Sequence, residues 1–271
     1  MAILEPFALA IAFLLSYIYD FIASYGFSIA ILTVVINVII FPLTLRQTRS
    51  TKRMQDAQSD IKALQKKHKD NKEELNKAMA GMYKEKGINP LGCILPLIVQ
   101  MPIWFALFRV LREPLSFIPD TSKLFNALEN STGLTFFNMD LQIPPSEVSD
   151  WVERAPYLVL ILFVILTALY QQQQITKKSN NSNNPQAQQM QMIGKVMPVF
   201  FGFISWTLPT GLVVYFLTGN IFRIGQQALI VKLDDREESK KENTKDEEDE
   251  QKNDNPVQEN SRKNRKKRRR K

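Results

Sequence analysis

Apolar and polar residues come in blocks along this chain. Phe27–Leu45, Leu91–Leu111, Ala155–Tyr170, Val196–Leu208 and Gly211–Val231 carry almost no charge, and the Lys, Arg, Asp and Glu residues lie between them. A helix of about 20 apolar residues crosses a hydrocarbon layer ~30 Å thick. The pattern therefore predicts an all-α polytopic membrane protein with five spans. The first, second and fifth blocks approach full length. The third and fourth are short, and the Gln171–Gln174 and Lys195 flanks are placed to snorkel to the headgroups or to sit where the bilayer thins. Residues 1–26 hold a shorter apolar run, Phe7–Tyr19, interrupted by Ser16 and closed by Asp20, which predicts an interfacial helix on the extracytoplasmic side. This stretch has no Lys or Arg before residue 26, so it lacks the basic start of a secretory signal.

Lys and Arg favour cytoplasmic loops. Residues 46–90 hold twelve basic and six acidic residues, whereas 112–154 hold three basic and seven acidic. The segment 173–194 is basic again through Lys177 and Lys178. This alternation places the N-terminus outside and the C-terminus in the cytoplasm. The organisation expected is a core over 27–231, with spans at about 27–45, 91–111, 155–172, 195–208 and 211–231. Between them lie a cytoplasmic region over 46–90, an outer loop over 112–154 and a cytoplasmic loop over 173–194. In 46–90, Met54, Ala57, Ile61 and Leu64 form one stripe at helical spacing, and Leu75, Met79 and Met82 form another. They predict a helical hairpin turning at "KHKDNK". The outer loop contains Pro114, Pro119, Pro144 and Pro145 and is expected to be irregular or interfacial. From residue 232 to 271 the composition predicts a disordered tail. Its last eleven residues hold nine basic ones: Arg262, Lys263, Arg265, Lys266, Lys267, Arg268, Arg269, Arg270 and Lys271. Such an end suits anionic lipid headgroups or RNA phosphates.

Composition changes this picture little. A net charge of +8, 45% hydrophobic residues and a mean hydropathy of −0.17 describe an average that the block pattern overrides. A single cysteine, Cys93, excludes an internal disulfide, and with the single histidine, His68, it leaves no His/Cys cluster for a metal. No cofactor and no specific DNA binding are expected. The spans hold no Asp or Glu, and "GKV" at Gly194 lacks the spacing and Ser/Thr of a phosphate-binding loop, which argues against an enzyme. A small-solute transporter or channel stays open at this point, because it too would use a polar path.

The polar residues inside the spans are the candidate site. Thr33, Asn37 and Thr44 share one face of the first span, and Gln100 lies between Pro96 and Pro102 in the second. In the fifth, Phe216, Asn220, Arg223 and Gln227 follow steps of four, three and four. An arginine inside a span is costly and faces a cavity or a partner. With no acidic residue in any span to pair with it, Arg223 points to a wet groove open to the cytoplasm. Interhelical hydrogen bonding is the competing explanation for the neutral residues.

Three segments carry a family resemblance: "FPLTLRQTRSTKRMQ", "MYKEKGINPLGCILPLIVQMPIWFALFR" and "KVMPVFFGFISWTLPTGLVVYFLTGNIFRIGQQ". They resemble, in order, the hallmark segments of the YidC/Oxa/Alb membrane-protein insertases, over roughly Phe27–Val231. The resemblance implies a bacterial cell membrane protein with a five-span core and a hydrophilic intramembrane groove. It implies insertion and folding of newly made membrane proteins, alone or beside the Sec translocon, without nucleotide hydrolysis. Its implied partners are nascent membrane proteins, membrane lipids, the Sec translocon and, through the basic tail, the ribosome. Thr33 matches the family's threonine in the first span, but the arginine that follows it by four residues is Asn37 here. Gln100 matches the glutamine of the second span, and Tyr215 and Phe216 match the aromatic pair of the fifth. The groove residues expected are Thr33, Asn37, Gln100, Tyr215, Phe216, Asn220 and Arg223. Arg223 is expected to supply the charge that Asn37 lacks.

Overall fold

The computed structural model describes residues 4–88, 95–176 and 196–253. Nine helices carry most of them: α1 Glu5–Ile22, α2 Tyr25–Asp56, α3 Gln58–Lys67, α4 Lys72–Glu85, α5 Leu95–Arg112, α6 Lys123–Glu129, α7 Trp151–Thr176, α8 Val196–Ser205 and α9 Thr210–Asn253. The chain divides into two compact units, Met1–Gly225 and Gln226–Lys271.

Among the described residues, three helices are long and apolar enough to cross a bilayer: Glu5–Ile22, Tyr25–Met54 of α2 and Trp151–Gln174 of α7. Two of these match expected spans. The first covers the region where an interfacial helix is expected and is longer than the apolar run Phe7–Tyr19. Pro6 near its start needs no backbone partner, Glu5 favours the N-terminal dipole, and the helix runs on past Asp20 to Ile22. It stops at Ala23, whose left-handed φ of 52° lets its N–H donate to the Tyr19 carbonyl at 2.8 Å. The helix α2 continues unbroken through Pro42 to Asp56, well past the expected end of its span at Leu45.

Beyond α2, the arms α3 and α4 pack on one another. Asn71 caps α4 by accepting from the Glu73 and Glu74 N–H groups at 3.1 and 3.2 Å. A Lys86–Asp60 ion pair and a His68–Glu74 contact at 3.2 Å link the arms.

The segment 112–154, expected to be irregular or interfacial, holds regular structure. It holds α6, capped by Ser122, and an antiparallel hairpin pairing Thr135 with Asp140 and Phe136 with Met139. Phe137 and Asn138 form its two-residue turn with φ of 49° and 60°, the conformation that matches strand twist. The hairpin then clasps the helix ends. The Asp140 N–H donates to the Tyr157 hydroxyl at 2.7 Å, and Gly211 N–H donates to Leu141 O at 2.8 Å. The Thr210 N–H and hydroxyl both donate to Ile143 O, at 3.1 and 2.7 Å, and Ser146 N–H donates to Trp206 O at 3.1 Å. These bonds satisfy N–H groups that the start of α9 would otherwise leave unpaired. Arg154 adds a further tie. It donates to Val148 O and lies 4.8 and 5.4 Å from the ring centroids of Trp151 and Trp206.

One apolar core joins these elements. Leu15 of α1, Ile29 and Leu32 of α2, Leu107 and Val110 of α5, Leu124 of α6, Val164 of α7 and Leu212 and Val213 of α9 are all buried within it.

The expected disorder from residue 232 is also corrected, because α9 continues to Asn253. Residues 232–253 contain no Gly or Pro and are rich in Glu and Lys, both good helix formers. Glu237/Lys241 and Glu248/Lys252 follow the spacing that supports a helix. The basic residues Arg262 to Lys271 and most of the 173–194 loop lie outside the described residues, as do positions 91–94 of the second expected span.

Gly26 shows how tightly the hairpin seats on α2: a Cβ there would fall 2.3 Å from Phe136 Cγ and 2.8 Å from its Cβ. We expect Gly26→Val to lower stability by about 1–3 kcal/mol through overpacking. The check is a thermal melt in detergent, in which the added change Phe136→Ala restores part of the loss.

Candidate functional site

Close packing at Gly211 sets a common reference level. A Cβ at this glycine would lie 3.1 Å from Ile29 Cδ1, 3.3 Å from Leu141 O and 3.4 Å from Leu111 Cδ1, so α2, α5 and α9 converge there. Depth along each helix can be counted from this level at about 1.5 Å per residue. Thr33 on α2 and Tyr215 on α9 lie about 6 Å below it. Asn37 lies about 12 Å below, Asn220 about 14 Å, Gln100 about 16 Å and Arg223 about 18 Å. Gly219 of α9 also approaches α2, with 3.8 Å from an ideal Cβ to Thr33 Cγ2. Near the reference level the side chains are apolar and buried; the polar ones gather in the next two to three turns.

Each polar residue has a definite setting. Thr33 is fully buried, and its hydroxyl donates to Ile29 O at 2.6 Å. Asn37 is buried, and its amide donates to Thr33 O at 2.7 Å. Both donors are thus satisfied within α2. Asn37 keeps its carbonyl oxygen as an acceptor. The longest polar link in sequence joins α5 to α9: the Gln100 amide donates to the Tyr215 hydroxyl at 2.5 Å. That contact leaves the Tyr215 hydrogen available as a donor. Phe216 stacks edge-on against Phe201 of α8, with centroids 5.9 Å apart, and lies 5.8 Å from the Tyr215 ring.

Asn220 separates from this group. Its amide donates to Val164 O and Thr167 Oγ1 of α7, both at 3.3 Å. Asn220 therefore acts as a bridge between two helices, the competing explanation raised for the neutral residues. Thr167 is the functional partner that sequence reasoning missed; a lone hydroxyl among apolar residues in "FVILTALY" was its only signal.

Arg223 falls between these settings. Successive residues diverge by about 100° around a helix. With Gly219 facing α2 and Asn220 facing α7, Arg223 points into the angle between them. Side chains on a helix lean toward its N-terminus, so the Arg223 side chain lies over the turn that holds Gly219 and Asn220. Arg223 is half-buried and makes no ion pair among the described residues. No group of three or more His, Cys, Asp or Glu among them is placed to hold a metal. The arrangement offers hydrogen-bond donors, an aromatic wall and one positive charge.

The 60Kd inner membrane protein family matches residues 17–238. The chain is 32% identical over 219 residues to a membrane protein insertase YidC of Pelobacter propionicus, covering 81% of this chain and 37% of that protein. It is 33% identical over 226 residues to the same-named protein of Wolinella succinogenes, covering 83% of this chain and 37% of that one. It therefore spans well under half the length of these relatives. A crystal structure titled as an active YidC insertase with its first transmembrane domain resolved shares the fold. That match has a TM-score of 0.53 at 24% identity and covers 79% of this chain and 43% of the other. The chain belongs to the 60Kd inner membrane protein family, the YidC/Oxa/Alb group that its hallmark segments resemble.

Proposed function

We propose that this chain is a membrane protein insertase and chaperone that moves newly made membrane proteins into the bilayer through a hydrophilic intramembrane groove. The observation that carries the proposal is Arg223, a half-buried positive charge with no carboxylate partner among the described residues, about three turns along α9 from the close packing at Gly211. A charge at mid-bilayer costs roughly 2.5–3.5 kcal/mol on insertion scales. A fold that keeps one without pairing it retains it for something that arrives later.

In this reading five spans cross the membrane, with the N-terminus outside and the C-terminus in the cytoplasm. The arms α3 and α4 stand in the cytoplasm, and the ordered segment between α5 and α7 faces outward. The convergence at Gly211 closes the groove on the outer side. A polar client segment enters from the cytoplasm and exchanges part of its hydration for contacts with Gln100, Tyr215, Arg223 and the Asn37 carbonyl oxygen. Its apolar segment then passes the Phe216–Phe201 wall into lipid, driven by burial. No bond is made or broken, and no nucleotide is required. The clients are nascent membrane proteins, received from the ribosome or beside the Sec translocon. The basic end from Arg262 to Lys271 engages ribosomal RNA or anionic lipid.

The test is insertion of ribosome-bound clients into vesicles containing the purified protein, read by protease protection. Arg223→Gln is expected to reduce insertion of clients with an acidic translocated segment by about tenfold, the loss of roughly 1.4 kcal/mol of stabilisation, and Arg223→Lys to restore most of it. Equal insertion by Arg223→Gln and the parent would reject the role given to this residue. A small solute crossing the vesicles without any client would reject the insertase reading itself.

Two neighbouring polar residues should separate. Tyr215→Phe deletes one hydroxyl from the proposed groove, and insertion should slow while the melting temperature holds. Asn220→Leu removes the bridge to α7, and the melt should fall by about 0.6–2 kcal/mol with less effect on insertion per folded molecule.

A further inference from the structure

The last turn of α5 carries two cations, Arg109 and Arg112, three residues apart and therefore on one side of the helix. Arg109 is half-buried and Arg112 exposed. Neither guanidinium makes an ion pair or a hydrogen bond among the described residues. Each lies over an aromatic ring instead. The Arg109 guanidinium carbon is 5.0 Å from the Phe117 centroid, and that of Arg112 is 5.5 Å from the Phe108 centroid. Phe108 in turn stacks on Trp104, with centroids 6.0 Å apart and planes at 22°. Trp104, Phe108 and Arg112 thus form one ladder at steps of four along α5. The negative end of the helix dipole favours cations in this turn. It does not supply the counter-ion that two like charges on one face call for. A ring against the face of a guanidinium leaves the N–H groups on its rim, the fork that fits phosphate oxygens.

We infer that Arg109 and Arg112 form a headgroup site for an anionic phospholipid of the outer leaflet, with its phosphate held by both guanidinium groups and an acyl chain lying along α5. The surface leading to the pair is apolar and open. Met101 and Phe105 are 42% and 44% exposed, and Phe105 stands one turn before Arg109. Leu115, 48% exposed, follows just beyond the pair. A free phosphate would use the two cations and leave this stripe bare, whereas a phospholipid covers both. The lipid carries a net negative charge because a zwitterionic headgroup brings its own ammonium to a place that already holds two uncompensated cations. This inference rests on the proposed five-span reading, in which the end of α5 reaches the outer surface of the membrane. It does not depend on what the groove carries.

Tryptophan quenching tests it on the full chain in lipid vesicles. The background is Trp151→Phe with Trp206→Phe, which leaves Trp104 of the ladder as the single indole. Phosphatidylglycerol with brominated acyl chains is expected to bind beside Trp104 about fivefold more strongly than phosphatidylcholine brominated in the same way. Arg109→Gln with Arg112→Gln should bring that ratio close to one. Equal quenching by the two lipids before the arginines are changed, or a ratio that the double variant leaves untouched, would overturn the site while the span stands. No quenching by either lipid would overturn the site together with the membrane placement of α5. Loss of the preference in inorganic phosphate, but not in chloride of equal ionic strength, would overturn the lipid assignment in favour of a free phosphate. If these backgrounds do not fold, native mass spectrometry of the parent and of Arg112→Gln, a change at an exposed residue, gives the same decision. Fewer retained phosphatidylglycerol molecules on the variant support the site, and equal numbers overturn it.

Discussion

The close approach of α2, α5 and α9 at Gly211 is the constraint from which the rest of the interior follows. Any side chain there would meet Ile29, Leu111 and the Leu141 carbonyl together. The Gly211 N–H also donates to that carbonyl, so one residue fixes both the lateral packing of three helices and the height of α9 against the ordered segment. A helix has few ways to slide once one end is bonded and packed, because a shift of one residue turns every side chain by about 100°. The depths of Asn37, Gln100 and Arg223 are therefore consequences of a junction two to three turns away from them.

That separation has an energetic logic. In hydrocarbon, backbone groups must be satisfied internally, and polar side chains need partners or water. Near the junction the fold meets the demand completely: Thr33 and Asn37 donate to carbonyls of their own helix, and Asn220 donates across to α7. These residues lower the cost of polar atoms without exposing them. Gln100 and Tyr215 satisfy each other only in part, and Arg223 has the least compensation of all. A structure selected for stability alone would have replaced Arg223 with an apolar residue, since uncompensated buried charge is among the costliest features a fold can keep.

Much of this was legible in the sequence, and the reasons differ by residue. The uninterrupted apolar runs of α2 and α7 announced those helices, because length and hydropathy are averages over many positions. The candidacy of Arg223 followed from its being charged where no acid was available. The role of Asn220 was not legible: its partner Thr167 is more than 50 positions away, and helical spacing within one span says nothing about which neighbour each face meets. The ordered hairpin was hidden for a related reason. Its turn at Phe137–Asn138 carries none of the glycine that marks such turns, and it is held by bonds to Tyr157 and to the start of α9, contacts that exist only once the helices have assembled. The helical stretch beyond residue 232 shows the opposite error. Charge density argued for disorder, while local propensity and the spacing of opposite charges favoured continuation of α9.

The substitution of Asn for a charged residue at position 37 gains meaning from this geometry. An arginine there would share the proposed groove with Arg223, on a helix that touches α9 at Gly211 and Gly219. Two guanidinium groups in one groove would repel each other. Asn37 avoids that repulsion, and its amide donates to Thr33 O while its carbonyl oxygen stays an acceptor. In the proposed groove, one positive charge on α9 with a neutral acceptor on α2 costs less than two charges would, and it still offers a localised field to an incoming segment.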